Sequence, residues 1–490
     1  MGAGTMMQQQ AITQPKQRGI GDRFQQYPNS LTVPIDIVGS TNFGRYPKIA
    51  TEQTYNMIIS DGAMVDFAGY EVVAMIGGNT AREVYNSVLL NSIVAVIDNR
   101  VFVIDTGYSV NQVGTLATTT GNVFISDNFA SQIAIVDGIN VYIYNYLNNT
   151  FQTVLVDFSP GYITYQDTFF IAADIATNQW RLSEPNDGTM WPDQAQNVGE
   201  LQSKPCRMVA TVALDRILLV MGQTVTEPWY DAGLQLFPYQ RNDYYCIDYG
   251  CASAETIASG YGMIVWLATN QQSGYQIMVS QEGGPPQTID FDGLDFFFSQ
   301  LTMPQNSFGM LFKMDGHIFY MITFTTDNRT YLFDFNTQMF FSLCDENYNH
   351  HIARRIVFFN NSYHFISFTD SNLYKMNSQI TNYNGAMIPR IRICKNIRFP
   401  GADRFIIQNI NITMESGLNQ GATKIEFAAS TDGGYSYDYF IPFVMPSLGQ
   451  RQNAVNLYNL GGIENDFVPR FQFWAKGRFV INGGTISLYR

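Results

Sequence analysis

The stretch Val136–Phe151, VDGINVYIYNYLNNTF, decides the fold. An Asp-Gly pair opens a tight turn, an alternating apolar run follows, and Asn148-Asn149 supplies a second turn. Val141 and Ile143 fall on one face of the extended run, as a half-buried strand requires. Asp, Asn and Gly tolerate positive φ and so suit the tips of tight hairpins. The same grammar returns at Ile97–Gly107 (IDNRVFVIDTG), Leu214–Gly222 (LDRILLVMG), Met314–Thr323 (MDGHIFYMIT) and Phe358–Phe368 (FFNNSYHFISF). In the first of these, Phe102 and Ile104 share a face.

The spacing is too irregular for a WD40 or kelch period. About five to seven hairpin-rich blocks over roughly 370 residues still fit a degenerate β-propeller better than one sandwich, which rarely takes so much chain. From Ile388 the strands lengthen, in IPRIRICKNIRFPGADRFIIQNINITMES, KIEFAASTDGGYSYDYFIPF and PRFQFWAKGRFVINGGTISLYR. Alternation broken by Gly and Pro predicts an antiparallel sandwich there, ending in strands at Phe471–Ala475 and Phe479–Ile486. The expected fold is therefore all-β. A flexible N-terminal arm covers 1–20, a degenerate β-propeller 21–388 and a β-sandwich-like domain 389–490. Helix is expected only at Asp290–Leu301, with Asn79–Leu90 ambiguous.

Only 14% of the 490 residues are charged, against roughly 25% in ordinary soluble proteins. Charged residues are depleted at interface cores, so this surface suits a subunit that hides much of itself in an assembly. An Asn/Gln-rich monomer is the plainer alternative. The net charge of −13 argues against a dedicated nucleic-acid binder, which needs clustered Lys and Arg. It permits a conduit whose acidic or neutral bore lets DNA slide. The five cysteines (Cys206, Cys246, Cys251, Cys344, Cys394) form no CxxC or Cys/His cluster, so reduced, buried thiols are expected rather than disulfides or zinc. Neither a signal peptide nor an 18-residue apolar span is visible.

Thr224–Ala254, TVTEPWYDAGLQLFPYQRNDYYCIDYGCASA, is the most aromatic segment. Each large ring carries about 150–250 Å² of mostly apolar surface, so many must be buried. Glu227, Trp229, Tyr230, Gly233, Phe237, Pro238 and Tyr239 are its candidate interface residues, on an inter-blade excursion that meets a neighbouring subunit. Arg390, Arg392, Lys395, Arg398 and Arg404 form a candidate DNA- or partner-facing basic patch, because Arg390 and Arg392 alternate with Ile391 and Ile393 on one strand face. A solvated or partner-facing surface is the reading favoured by the overall charge.

Other motifs read as structural. Ser430-x-Asp432-x-Gly434-x-Ser436-Tyr437 matches an Asp-box hairpin corner. Asp290-x-Asp292-Gly293-x-Asp295 lacks the distal Glu of a calcium loop and reads as a polar turn or helix cap. His317 and His364 lie in strand-like alternations as hydrogen-bonded imidazoles, and His350-His351 in a loop between blades. Neither a Gly-x-Ser-x-Gly elbow nor an HExxH motif is present, Gly77-Gly78 and Gly283-Gly284 make no phosphate loop, and no cofactor or metal is expected.

The aromatic block resembles one in the tail hub, or packaged-DNA stabilisation, proteins of short-tailed bacteriophages. Their series is matched by Thr226, Glu227, Trp229, Tyr230, Ala232, Gly233, Phe237, Pro238, Tyr239, Ile247, Tyr249, Gly250, Cys251 and Ala252. Asp248 stands where the family often has Glu. Tyr55, Asn56, Met57, Gly62, Phe67 and Gly69 are similar to an early signature, with Ala68 in place of the usual Pro, and Arg181, Leu182, Ser183, Asp187 and Trp191 to a third run. The resemblance implies a non-enzymatic virion protein, assembled in the host cytoplasm. It further implies a ring of six copies below the portal and adaptor that extends the DNA channel, retains packaged DNA without sequence-specific binding, and docks tail needle, nozzle, fibres or spikes. The rival reading is a glycan-binding or glycan-hydrolysing propeller, which needs two convergent carboxylates. A periplasmic scaffold propeller is disfavoured by the missing signal peptide.

Overall fold

The structure, a computed structural model, describes residues 30–46, 52–398, 404–415, 423–446, 454–464 and 466–489. The arm expected at 1–20 lies outside them. Strands dominate, and four-stranded antiparallel sheets follow one another at 81–115, 124–154, 160–200 and 208–241, here blades 1 to 4. Blade 5 spans 250–288, its inner strand broken by a 3₁₀ turn at Ala254–Thr256, and blade 6 spans 307–343. These six blades each come from one consecutive stretch. A seventh sheet, blade 7, runs from its inner strand Ala353–Phe359 through Ser362–Ser367 and Leu373–Asn377. It closes the ring from both ends of the propeller, because Gly69–Ala74 pairs antiparallel with Leu373–Asn377. The expected propeller is present, and Asn79–Leu90 resolves as the strand Ala81–Ser87.

The hairpin tips carry the φ values that their residues allow. Asp98, Asp215, Asp315 and Asn360-Asn361 all have φ near +50°, and Gly138 and Gly316 reach +88°. The strands differ from expectation in one way: both faces are buried, not one. Val141 and Ile143 pack with Ile163 and Phe170 of blade 3, while Tyr142 and Tyr144 pack with Val94 and Val96 of blade 1. Each interior blade is covered by a neighbour on either side, so the polar residues retreat to the loops.

The C-terminal strands form two packed sheets. One runs Met57–Ser60, Ala63–Asp66, Val480–Tyr489, Arg404–Glu415 and Ala454–Tyr458, with Ser30–Ile35 added to Val480–Tyr489. The other runs Gln53–Tyr55, Arg390–Ile393, Asp466–Trp474, Lys424–Ser430 and Asp438–Val444. Ile410, Ile412, Ile425, Phe427, Phe471, Phe473 and Ile486 fill the space between them. Strands from 30–66 therefore share sheets with the chain beyond 388, a long-range pairing that local patterning cannot show.

The two bodies are also continuous. Tyr55 pairs with Ser342 of the outer strand of blade 6, which makes one ten-stranded sheet. Asn56, fully buried at φ +55°, staples this junction. Its N–H donates to the Ser342 carbonyl, its Oδ1 accepts from the Cys344 N–H, and its Nδ2 donates to Pro389 O. The short helix Leu294–Gln300 lies within the expected 290–301 and is preceded by Gly293 at φ +81°.

Candidate functional site

The centre of the propeller was not anticipated from sequence. Arg354 and Arg355 begin the inner strand of blade 7, and both are buried. Arg355 Nε sits 3.1 Å from Glu83 Oε2 of blade 1, and its Nη1 donates to the carbonyls of Glu255 and Gly309 in blades 5 and 6. Arg354 Nη2 meets Glu255 Oε1 at 2.6 Å. Burial pushes the Glu83 carboxyl up, and Arg355 opposes it. One Arg pair thus ties blades 1, 5, 6 and 7 across the axis. The remaining cavity, lined by Tyr85, Phe124, Tyr162 and Met310 among others, measures about 180 Å³. At about 30 Å³ per liquid water, that space holds a handful of waters. The signal available in the sequence was a paired Arg-Arg in a chain poor in charge.

The aromatic block occupies blade 4, as the strands Thr226–Asp231 and Tyr239–Arg241. It is a blade interior and not an inter-blade excursion. Trp229 is 3% exposed and Tyr239 2%. Both meet Trp180 of blade 3 edge-on, with ring centroids 5.5 and 5.6 Å apart, and Phe237 joins them at 5.3 Å. Trp229 and Tyr239 thus spend most of their surface inside the chain and leave little for a partner. Glu227 is fully buried and works as an anchor. Its Oε1 accepts from the Gln202 and Ser203 N–H groups and the Ser203 hydroxyl, and its Oε2 from Trp229 Nε1. Tyr230 and Pro238 are half-buried. Gly233, at φ +63°, turns the loop whose apolar tips are the outward surface: Leu234, Leu236 at 82% exposed, and beyond the last strand Tyr244 at 96%.

The basic patch is also redistributed. Arg390 and Arg392 do share a face, but it points inward and both are fully buried. Arg390 Nε lies 2.7 Å from Asp66 Oδ1, and its guanidinium lies over Phe479. Arg392 donates to the carbonyls of Ile37, Ser40 and Asp36 and pairs with Glu52. A buried guanidinium needs its donors met, and three carbonyls of the 36–40 loop, Thr54 Oγ1 and Glu52 meet those of Arg392. These two are struts, not DNA contacts. Lys395, 3.7 Å from Glu52, and Arg398, 2.9 Å from Asp466, sit half-exposed, and Arg404 is exposed.

The remaining motifs fall where expected. Asp432 caps its corner by accepting from the Ser430 hydroxyl, the Ser436 hydroxyl and the Tyr435 and Ser436 N–H groups, with Gly434 at φ +96°. Those bonds hold its carboxyl well below the usual range. His364 Nε2 bonds Tyr108 at 2.8 Å, and His317 lies between Asp334 and Ser60. All five cysteines are free; Cys251, Cys344 and Cys394 are buried, with thiols pushed up to about 12, but Cys246 is exposed and Cys206 half-buried. Among the described residues no three His, Cys, Asp or Glu side chains converge as a metal site, and no helix is long and apolar enough to cross a membrane.

A family model described as Bacteriophage P22 Gp10, beta-propeller, matches residues 43–381. The chain belongs to this phage stabilisation family. It is thus a bacteriophage structural protein built on a β-propeller. The matched span begins in the loop held by Arg392 and ends where Ile380 and Asn382 flank the closing strand. No curated protein matches the chain. Solved propellers resemble it distantly. A streptogramin B lyase structure has 11% identity and a TM-score of 0.44, covering 64% of this chain and 97% of that one. BamB from Moraxella catarrhalis has 11% identity and 0.40, covering 63% and 97%. Part of a mitotic checkpoint complex has 12% and 0.42, covering 63% and 93%. At these scores none bears on function.

Proposed function

We propose that this member of the phage stabilisation family is a tail hub subunit. A ring of six copies would sit below the portal and adaptor, lengthen the DNA channel, help keep DNA packaged and dock needle, nozzle, fibres or spikes. Assembly would take place in the host cytoplasm and the product would reside in the virion. The family match over 43–381 carries this reading. The propeller axis adds a constraint: Arg355 crosses it from the seventh sheet to Glu83 and to the carbonyls of Glu255 and Gly309, so any DNA channel lies between copies, not through one. Subunit contact is assigned to the exposed tips Leu234, Leu236 and Tyr244 beside the aromatic block. The sandwich-like part, 389–490 with the strands drawn from 30–66, is proposed as the second unit, braced by Arg390 and Arg392.

The glycan-hydrolase alternative gains no support from the axis. Glu83 and Glu255 are the carboxylates there, and each is held by an arginine, whereas a general acid must be free to carry a proton. The test is DNA retention. Adding the purified protein to DNA-filled particles that lack it should make their genome resistant to nuclease. Unchanged nuclease sensitivity, with protein bound or unbound, would count against the stabilising role.

A further inference from the structure

One cavity has no part in that reading. It lies in the cleft between blade 6 and the hairpin 57–66, measures about 360 Å³, and is walled by Ile58, Val65 and Phe479 with Ser60, His317 and Arg478. Small-molecule sites begin at about 300 Å³. On its wall His317 Nδ1 lies 2.8 Å from Asp334 Oδ2, and His317 Nε2 lies 3.1 Å from Ser60 Oγ. Asp334 is fully buried, and the Asn336 N–H and Thr337 hydroxyl hold its carboxylate in place. A carboxylate only accepts, so Nδ1 of the ring carries the hydrogen. With Nδ1 as the donor, Nε2 is the ring atom left to accept, and the Ser60 hydroxyl lies within reach to donate to it.

That is a nucleophile, base and orienter in hydrogen-bond sequence, the arrangement that activates a serine hydroxyl. Ser60 ends its strand immediately before the turn Asp61-Gly62, whose φ values are +52° and +76°. The hairpin ladder closes at Ser60–Ala63, which leaves the two turn N–H groups outside it. Arg478, 3.9 Å from Asp315, brings positive charge to a cavity that Asp61, Asp66 and Asp315 also line, so an oxyanion is left chiefly to the two turn N–H groups.

We propose that Ser60 is an acyl-accepting nucleophile with His317 as its base and Asp334 as positioning residue, acting on esters of short acyl chains. Ser60 Oγ attacks the ester carbonyl while its proton passes to His317 Nε2. The ester C–O bond breaks, and the departing alcohol takes that proton. Water then attacks the acyl-serine and gives a proton to Nε2, the acid leaves, and Ser60 recovers the proton. The sum is ester plus water to acid plus alcohol. This activity is independent of the hub role: a mere clamp between blade 6 and the hairpin would keep the same hydrogen bonds and show no serine reactivity.

The full chain treated with a fluorophosphonate probe, digested and mapped by mass spectrometry tests this. The expected result is an adduct on Ser60, through formation of an Oγ–P bond and loss of fluoride. It should be absent in Ser60→Ala and form at least about 100-fold more slowly in His317→Gln, the usual worth of a general base. Melting curves would show that both variants fold, and site mapping in the unaltered chain stands without them. Folded protein with no adduct on Ser60, or labelling unchanged in His317→Gln, would overturn the proposal.

Discussion

At the scale of single residues, buried charges with full sets of partners carry the account. Glu227 accepts four hydrogen bonds inside blade 4. Truncation to Ala would strand the buried Trp229 Nε1–H, at about 1–3 kcal/mol, while the exposed Gln202 and Ser203 could turn to water. Glu227→Ala should therefore lower unfolding stability by about 1–3 kcal/mol in urea titration, with a shift in tryptophan emission as Trp229 loses its acceptor. A change under about 0.5 kcal/mol would show that the Trp229 Nε1–H finds another acceptor. Histidines give a pH signature. Burial holds His351 down to about 3 and His364 to about 4, against 6.5 in an unfolded chain. As pH falls the unfolded state binds the proton first, so their stabilisation is complete above about pH 6.5 and is lost between there and the folded values. His351→Gln should flatten the stability profile between about pH 6.5 and 4, where one such group gives a slope of up to about 1.4 kcal/mol per pH unit. An unaltered slope would contradict this. Sequence pattern found the residues of this scale but misjudged their direction. Alternation put Arg390 and Arg392 on one face, and only the fold shows that the face is lined by Asp66 and the carbonyls of 36–40.

At the scale of elements, the hairpin grammar transferred almost intact. Asp98, Asp315 and Asn360-Asn361 were legible as tips because their short polar side chains tolerate the left-handed region, and the structure puts them there. The Asp432 corner and the helix after Gly293 were legible for the same local reason. What local grammar could not reach was pairing between distant strands. The closing strand Gly69–Ala74 lies about 300 residues before its partner Leu373–Asn377 in the register of the ring. Its first residue shows how tight the closure is. A Cβ on Gly69 would stand 2.5 Å from the Ile380 carbonyl oxygen and press on that of Asn382. Neither is a flexible side chain, so the backbone would have to move. Gly69→Val should cost at least about 1–3 kcal/mol, in the range of overpacked cores, and raise amide exchange in 69–74 and 373–377 ahead of blades 2 and 3. Exchange raised evenly through all blades would show that the closure is not the weak seam.

At the scale of the whole molecule, a closed propeller is joined by a shared ten-stranded sheet to a sandwich that recruits strands from both ends of the described chain. Low charge was readable from composition as a sign of assembly, but the contact surface was not. The rings that looked like an interface are spent inside blade 4, and Leu234, Leu236 and Tyr244 are left outside it. Leu236→Asp should leave the melting temperature within about 2 °C, since surface changes usually stay within about 0.5 kcal/mol, while it weakens self-association in sedimentation. Normal assembly of that variant would move the contact elsewhere. The central claim is a ring of this chain on the particle. Electron microscopy of particles lacking the protein, after the purified chain is added, tests it most directly. The account predicts new ring-shaped density below the portal, with the DNA channel between subunits and each propeller axis closed. Free monomers with no density on the particle, or a channel running through a single propeller, would contradict it.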